Sequence, residues 1–257
     1  MKNKIVFFDI DGTLVDEKKN IPELTKQAIH QLKENGVHVA IATGRPSFMY
    51  EDIREELDIQ TYISFSGQHA VLNGETIYQH PVDRHQMIRL YEAAKQNEHP
   101  MVFMSDTAMR ATTKNHQYIK ESLGQLKFDY PKVDVNFPIN ETIFQALLFC
   151  KMDEENEFIK EHESFHFLRW HPFACDVLPA GGSKAIGVNK IMDALGLDHA
   201  HSYAIGDGRN DIEMLQEVGT GIAMGNSVEP LLEVADHVTD HVDDDGVVKA
   251  LKAFNLI

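Results

Sequence analysis

The chain has 257 residues, 43% of them apolar and 25% charged, and its 40 acidic and 24 basic residues give a formal net charge of −16. The composition is that of an ordinary globular protein, long enough for one large α/β domain or two smaller ones. The negative charge argues against nucleic acid and against an anionic membrane as partners, because both require a basic face. A small anionic substrate stays compatible with it, since a bound divalent cation and a few lysines or arginines reverse the local sign.

The cysteine content predicts a reducing compartment. The two cysteines, Cys150 and Cys175, are far apart in sequence and have no metal-like spacing, so we expect reduced thiols in a cytoplasmic protein. The N-terminal apolar stretch is short and is interrupted at Asp9, which argues against a secretory signal. No apolar run approaches the length that crosses a bilayer. The oligomeric state is left open.

The first third of the chain alternates between strand and helix patterns. Four consecutive apolar residues at 5–8 are typical of a buried parallel strand, and Asn73-Gly74 is the signature of a two-residue hairpin turn. In chain order we predict a strand at 5–8, a helix at 22–35, a strand at 37–42, a helix ending near 57, a strand at 61–65 and a hairpin over 70–79.

The pattern changes near Pro81 and changes back near Gly181. Between them we predict a helix at 82–97 and strands at 101–104, 141–150 and 165–170. After them we predict a helix at 184–195, a strand at 202–205, helices at 211–217 and 228–234 around a strand at 221–224, and a last helix from 246. The simplest organisation is a parallel-sheet α/β core, residues 1–81 and 182–257, interrupted by an inserted α/β module over residues 82–181.

Asp9 and Asp11 directly follow the first buried strand. If the strand geometry continues, carboxylates at i and i+2 share a face, and the carboxyl ends of strands are where ligands bind in an open α/β sheet. Two acids held there repel each other unless a cation or a proton resolves the conflict. The pair therefore indicates a metal-assisted site rather than a packing role.

Three other loops are expected at the same edge of the sheet. Thr43-Gly44 offers a hydroxyl and a closely approachable backbone ahead of a helix, and Lys184 lies at a helix start, where a bound anion would explain it. Asp207 ends another buried strand and suits Mg²⁺. Asp211 fits a helix N-cap and a metal-shell role equally well.

Together these motifs resemble the haloacid dehalogenase superfamily, specifically its Cof-type sugar-phosphatase-like branch. The resemblance covers the whole core and includes the following segments: Asp9-Ile10-Asp11-Gly12-Thr13-Leu14, Thr43-Gly44-Arg45, Gly182-Ser183-Lys184, residues 206–211, residues 221–226, residues 235–239 and Asp245-Gly246-Val247. It implies a Rossmann-like, doubly wound parallel-sheet core with an inserted α/β cap domain.

The resemblance also implies a Mg²⁺-dependent phosphatase acting on a small phosphorylated metabolite, such as a sugar phosphate. Asp9 would be the nucleophile that becomes an aspartyl-phosphate, and Asp11 the general acid and base. The metal would be held by Asp9, the backbone carbonyl of Asp11, and Asp207. The phosphate would be met by these five residues: the Ile10 amide, Thr43, the Gly44 amide, Lys184 and Asn210.

One position departs from the branch, and two other functions stay open. The branch usually carries Asn-Gly where this chain has Ser66-Gly67, which puts the leaving-group contact of that Asn in doubt. A phosphomutase uses the same core, and a phosphometabolite-binding regulator could keep the site without useful turnover. Arg169 and His171, in an aromatic strand of the insert, are candidate substrate contacts, although core packing is the simpler interpretation.

Overall fold

The computed structural model describes residues 3–257, and these divide into two compact units. The core unit comprises residues 3–45, 49–79 and 183–257, and the inserted unit comprises residues 46–48 and 80–182. No helix among residues 3–257 is long and apolar enough to cross a membrane.

The core unit is a mixed α/β fold. Its elements before the insert are β1 (Ile5–Phe8), α1 (Glu23–Glu34), β2 (His38–Ala42), α2 (Glu51–Glu56), β3 (Tyr62–Ser64), β4 (His69–Leu72) and β5 (Glu75–Gln79). In the inserted unit the chain forms α3 (Arg84–Gln96), β6 (Met101–Met104), β7 (Met109–Ala111), α4 (Gln117–Gln125), α5 (Phe137–Asn140), β8 (Gln145–Leu148), α6 (Glu155–Glu161), β9 (Phe165–His171) and β10 (Ala174–Pro179). The core resumes with α7 (Lys184–Leu195), β11 (Ser202–Gly206), α8 (Ile212–Glu217), β12 (Thr220–Ala223), α9 (Glu229–Leu232), β13 (His237–Val238) and α10 (Gly246–Ala253).

The core sheet has eight strands in the order β13-β12-β11-β1-β2-β3-β4-β5. The strands from β13 to β3 run parallel, whereas β4 and β5 add an antiparallel edge. The predicted α/β fold with a central parallel sheet is therefore confirmed. The sheet places β1 in its middle, between β11 and β2, so the loops after these three strands leave side by side.

Helices cover both faces of this sheet. Every residue of β1 is apolar and successive side chains point to opposite faces, so both faces must be shielded from water. Val6 and Phe8 pack in one cluster with residues of α1 and α10, and Ile5 and Phe7 pack in another with residues of α7 and α8. All four side chains of β1 are fully buried, which stabilises the fold by about 1.5–3 kcal/mol for each. Asp9 thus follows a strand that cannot shift without exposing apolar surface.

The inserted unit has a five-stranded antiparallel sheet in the order β7-β6-β8-β10-β9. Its apolar cluster joins Phe103 and Val177 of this sheet to Met87 and Leu90 of α3 and to Phe158 of α6. Both cysteines are buried here as free thiols.

Several predicted elements differ from those in the structure, mostly in the inserted unit. The strand predicted over 141–150 is only Gln145–Leu148, because Phe137–Asn140 forms a short helix and residues 141–144 connect the two. Strands β7, β10 and β13 and helices α4 and α6 are not in the prediction. At the Asn73-Gly74 turn, by contrast, both residues have the positive φ, 51° and 84°, that a two-residue hairpin requires.

Candidate active site

The loops that follow β1, β2 and β11 contain most of the predicted site residues. Asp9, Thr43 and Asp207 each come directly after the last residue of their strand, and Lys184 is the first residue of α7. Because these three strands are parallel neighbours, their carboxyl ends meet at one edge of the sheet.

A buried ammonium group joins two of these loops. Lys184 Nζ donates to Asp9 Oδ1 at 2.6 Å and to Asp211 Oδ1 at 2.6 Å, and Lys184 is only 1% exposed. Burial alone would lower the pKa of Lys184, but Asp211 and Asp9 outweigh burial and raise it. Lys184 therefore stays positively charged inside the protein, at the position where the sequence predicted an anion contact.

Asp211 anchors the β11 loop. Its Oδ2 accepts from the backbone N–H of Asp207 at 3.1 Å and of Gly208 at 2.9 Å, while Oδ1 accepts from Lys184. Its side chain makes no hydrogen bond to the start of α8, but Oδ2 caps the Gly208 amide at the start of the short helical turn 209–211 that leads into α8. With both oxygens engaged, Asp211 shapes the loop that presents Asp207.

The carboxylates of Asp9, Asp207 and Asp211 form a compact acidic cluster, hereafter the core cluster, whose ligand-type oxygens all lie within 4.8 Å of one another. Burial is the main cause that raises the pKa of Asp9 to about 7, with Lys184 opposing it and the Asp211 charge adding to it. Burial and the Asp211 charge likewise raise the pKa of Asp207 to about 6. Burial and the neighbouring carboxylates thus both favour the protonated form, and Lys184 opposes them only in part.

Gly12 and Asn226 hold Asp207 in place. Asn226 Nδ2 donates to the Gly12 carbonyl at 2.8 Å and approaches Asp207 Oδ2 at 3.3 Å. A Cβ added at Gly12, whose φ is +73°, would lie 2.2 Å from Asp207 Oδ2. The motif glycine is therefore required both by its left-handed backbone and by the carboxylate that packs on it. Asp9 and Asp207 offer hard oxygen ligands in this space, and that donor set suits a divalent cation such as Mg²⁺.

Asp11 lies beside the core cluster but has different partners. Arg45 donates from Nε to Asp11 Oδ2 at 2.8 Å and from Nη2 to Oδ1 at 2.5 Å, and Lys19 Nζ also contacts Oδ1. Partial burial raises the pKa of Asp11, but Arg45 and Lys19 outweigh it and hold this pKa below its usual value. Sequence reasoning gave Arg45 no role and missed Lys19, because an isolated lysine in a polar turn carries no signal in one sequence.

Asn210, one of the predicted phosphate-binding residues, lies close to Gly44, as does Ser66. A Cβ at Gly44 would lie 3.2 Å from Ser66 Oγ and 3.9 Å from Asn210 Nδ2, so both polar groups face this glycine. Thr43 is buried, and its Oγ1 accepts from the Arg45 amide at 3.2 Å. Ile10 lies between the two aspartates, with its side chain fully buried.

Ser66 belongs to a strained segment. Phe65, Ser66 and Gly67 have successive φ values of 52°, 53° and 98°, and the Ser66 amide donates to the Thr43 carbonyl at 3.1 Å. Two consecutive non-glycine residues with left-handed backbone are costly and persist where the surroundings fix them. The departure from Asn-Gly therefore falls directly beside the Thr43-Gly44 loop.

Arg169 and His171 both have partners within the inserted unit. Arg169 forms a two-point ion pair with Glu155, and His171 Nδ1 lies 2.9 Å from Ser122 Oγ. These contacts favour the packing interpretation of both side chains.

Comparison with known proteins identifies the family. Residues 6–251 match the family model of haloacid dehalogenase-like hydrolases. YkrA of Bacillus subtilis (strain 168) is 45% identical over the full length of both chains, and its name describes it as an inferred phosphatase. The crystal structure of a hypothetical protein from Geobacillus kaustophilus HTA426 has a TM-score of 0.98, at 49% identity over 99% of each chain.

A third comparison links the fold to an enzyme class. The structure of BT4131, described as a HAD subclass IIB sugar phosphatase, has a TM-score of 0.83 at 29% identity and is matched over 99% of this chain and 100% of its own. Members of this superfamily generally depend on a metal ion. The chain belongs to the haloacid dehalogenase-like hydrolases and is a phosphatase of that superfamily.

Proposed function

We propose that the protein is a Mg²⁺-dependent phosphatase that hydrolyses a small phosphorylated metabolite, a sugar phosphate or a similar compound, in the cytoplasm. The observation that carries this proposal is the core cluster at the carboxyl edge of the sheet. The negative charge of its three carboxylates is larger than the single positive charge of Lys184. Such a site favours a divalent cation and, with it, a phosphate group.

In the first step Asp9 attacks phosphorus. A new bond forms between an Asp9 carboxylate oxygen and phosphorus, the bond to the leaving alcohol oxygen breaks, and Asp11 gives its proton to that oxygen. Lys184 donates to Asp9 Oδ1 and so fixes the direction of the carboxylate, which is 5% exposed and has little freedom to turn. The product of this step is an aspartyl-phosphate on Asp9.

In the second step water hydrolyses the aspartyl-phosphate. Asp11, now a carboxylate, takes a proton from the attacking water, the acyl-phosphate bond breaks, and Asp9 is restored with the release of inorganic phosphate. Asp11 leaves this step protonated; because Arg45 and Lys19 lower its pKa, the negative charge of the next bound phosphate group is needed to keep the proton on it.

Phosphate oxygens are held throughout by the Ile10 and Gly44 amides, Thr43, Lys184 and Asn210. The convergence of the Asn210 amide on Gly44 supports this cradle, because transfer of a phosphoryl group depends on positioning and charge neutralisation.

Asp9, the backbone carbonyl of Asp11, and Asp207 would hold Mg²⁺. When bound, the cation supplies positive charge that lowers the pKa of the neighbouring carboxyls and neutralises charge on the transferring phosphoryl group. The tight packing of Asp207 on Gly12 supports its assignment as a ligand, since it fixes one carboxylate towards the Asp9 loop.

Phosphate release tests this proposal. We would assay sugar phosphates, nucleotides, pyridoxal phosphate and p-nitrophenyl phosphate, with Mg²⁺ and with EDTA, and use Asp9→Asn as the blank. The proposal expects release that requires Mg²⁺ and is absent in Asp9→Asn. Isomerised substrate without free phosphate would indicate a mutase, and tight binding without turnover would indicate a regulator.

A further inference from the structure

Arg45 and Lys19 together hold the side chain of Asp11. The Arg45 guanidinium binds both carboxylate oxygens, in the two-point geometry that makes arginine–carboxylate pairs directional, and Lys19 adds a second cation on Oδ1. The Asp11 side chain is 43% exposed, so packing alone leaves it free to rotate. Its orientation therefore depends on these two cations.

We propose that Arg45 and Lys19 are positioning residues that set Oδ2 of Asp11 as the oxygen that exchanges protons, an inference that rests on the proposed role of Asp11 as general acid and base. Each carboxylate oxygen has two lone pairs. Both lone pairs of Oδ1 are engaged, by Arg45 Nη2 and Lys19 Nζ, whereas Oδ2 accepts only from Arg45 Nε. One lone pair of Oδ2 thus stays free for a proton.

The backbone of Arg45 is fixed to the phosphate loop. Its amide donates to Thr43 Oγ1 at 3.2 Å, and its carbonyl accepts from the Phe65 amide at 3.2 Å. The guanidinium therefore connects the Thr43-Gly44 loop to Asp11. It holds the Asp11 carboxylate in a fixed position relative to the loop that is expected to bind phosphate.

The turn that contains Lys19 is fixed by Asp16. Lys19 has a φ of 68° in a turn closed by Asp16, whose carbonyl accepts from the Lys19 amide at 2.9 Å and whose Oδ1 accepts from the Asn20 amide at 2.8 Å. A left-handed backbone is less favourable for lysine than for glycine, so the turn itself does not require a lysine at this position. Here the side chain reaches Asp11.

A leaving-group comparison tests the positioning role. An alkyl leaving group, as in glucose 6-phosphate, needs a proton from Asp11, whereas p-nitrophenolate leaves with little help. We expect Arg45→Met to lower kcat for the alkyl phosphate about 10- to 100-fold, with KM changed less than about threefold, and to lower kcat for p-nitrophenyl phosphate far less. Arg45→Lys, which keeps the charge without the two-point contact, should recover only part of the loss.

Two further variants separate this role from a structural one. Lys19→Gly relieves the left-handed backbone, so we expect an unchanged or higher melting temperature together with slower turnover of the alkyl phosphate. Lys26→Met removes a partly exposed lysine paired with Glu56 and is the matched control, with both substrates unaffected. Arg45→Met added to Asp11→Asn should cause no further loss, because Arg45 acts through Asp11.

Equal losses on the two substrates, or a further loss in the double variant, would overturn the positioning role. If Asp11→Asn itself showed no dependence on the leaving group, the role of Asp11 would be wrong and the inference would fall with it. Failure of the wider proposed function would look different, since Asp9→Asn would then keep its Mg²⁺-dependent hydrolysis.

Discussion

Two clusters of ligand-type side chains occur among residues 3–257, one in each unit, and they differ in charge balance. The core cluster is Asp9, Asp207 and Asp211, and the insert cluster is Cys150, Glu155 and Cys175. In both, the candidate ligand atoms lie within 4.8 Å of one another. Distance alone would therefore make each of them a metal site.

The insert cluster already contains its cation. Arg169 donates to Glu155 at 2.6 and 2.5 Å, to Cys150 Sγ at 3.4 Å, and to surrounding backbone carbonyls. These hydrogen bonds lower the pKa of Glu155 more than burial raises it. One carboxylate is matched by one guanidinium, and the cluster has no excess negative charge to attract a metal.

The core cluster has three carboxylates and one ammonium group, Lys184, which leaves two negative charges when all are ionised. Burial is the main cause of the raised pKa values of Asp9 and Asp207, and this excess negative charge adds to it. Ligand-type side chains that lie close together therefore indicate a cation site only where the protein leaves their negative charge uncompensated.

Removing a carboxylate from the core cluster should have the largest effect on turnover and on Mg²⁺ binding. We expect Asp207→Asn to lower Mg²⁺-dependent turnover at least about 100-fold and to abolish stabilisation by Mg²⁺, because a carboxylate ligand is lost. The measurements are phosphate release and the melting temperature across a Mg²⁺ titration. Glu155→Gln is the matched control in the insert cluster, and a Mg²⁺ response lost in Glu155→Gln would contradict the comparison.

Removing the cation from the insert cluster should affect stability. Arg169→Met leaves Glu155 unpaired in a largely buried position, at a cost of about 3 kcal/mol in the free energy of unfolding. Urea unfolding measures this loss, and Arg169→Lys should lose less. A stability equal to that of the unmodified protein would show that Arg169 does not balance Glu155.

A smaller effect concerns pH and Asp176 in β10. Burial raises the pKa of Asp176 to about 7, so between about pH 4 and pH 7 the folded state holds a proton that the unfolded chain releases. This contribution to stability is full at low pH and is lost as the pH rises towards 7. In urea unfolding, the Asp176→Asn variant should lose less stability than the unmodified protein between pH 5 and pH 8. An equal dependence of stability on pH in the two proteins would show that Asp176 does not hold this proton.

For metal binding by the insert cluster we expect no effect. Titration of the reduced protein with Cd²⁺ should produce no thiolate–metal absorbance, because Arg169 occupies the place of a cation beside Cys150. Cys150→Ser is the control for any background. Stoichiometric absorbance that disappears in Cys150→Ser would show that the insert cluster binds metal despite its arginine.

The core was predictable from the sequence because its signals are local. The apolar run of β1 forces a fully buried central strand, and the polar residues directly after β1, β2 and β11 must then reach one edge. The antiparallel strands of the inserted unit were predicted poorly. Strand β10 follows β9 after a two-residue turn, and the pairing of the two strands shifts at a bulge between Ala174 and Cys175, so the residues of β10 do not pair regularly with those of β9.

The finer structure of the site depends on contacts between distant residues. The engagement of Asp211 by Lys184, and of Asp11 by Lys19, cannot be read from spacing, because each pairing is created by the fold. The strain at Ser66 is equally invisible in the sequence, since serine gives no sign of a left-handed backbone.

The role of Asp9 as nucleophile is tested most directly by the intact mass of the protein, quenched in acid during turnover of a phosphorylated substrate with Mg²⁺. We expect a species heavier by one phosphoryl group, absent in Asp9→Asn and absent when EDTA replaces Mg²⁺. Turnover without any phosphorylated species, or the same species in Asp9→Asn, would contradict the assignment of Asp9 as nucleophile.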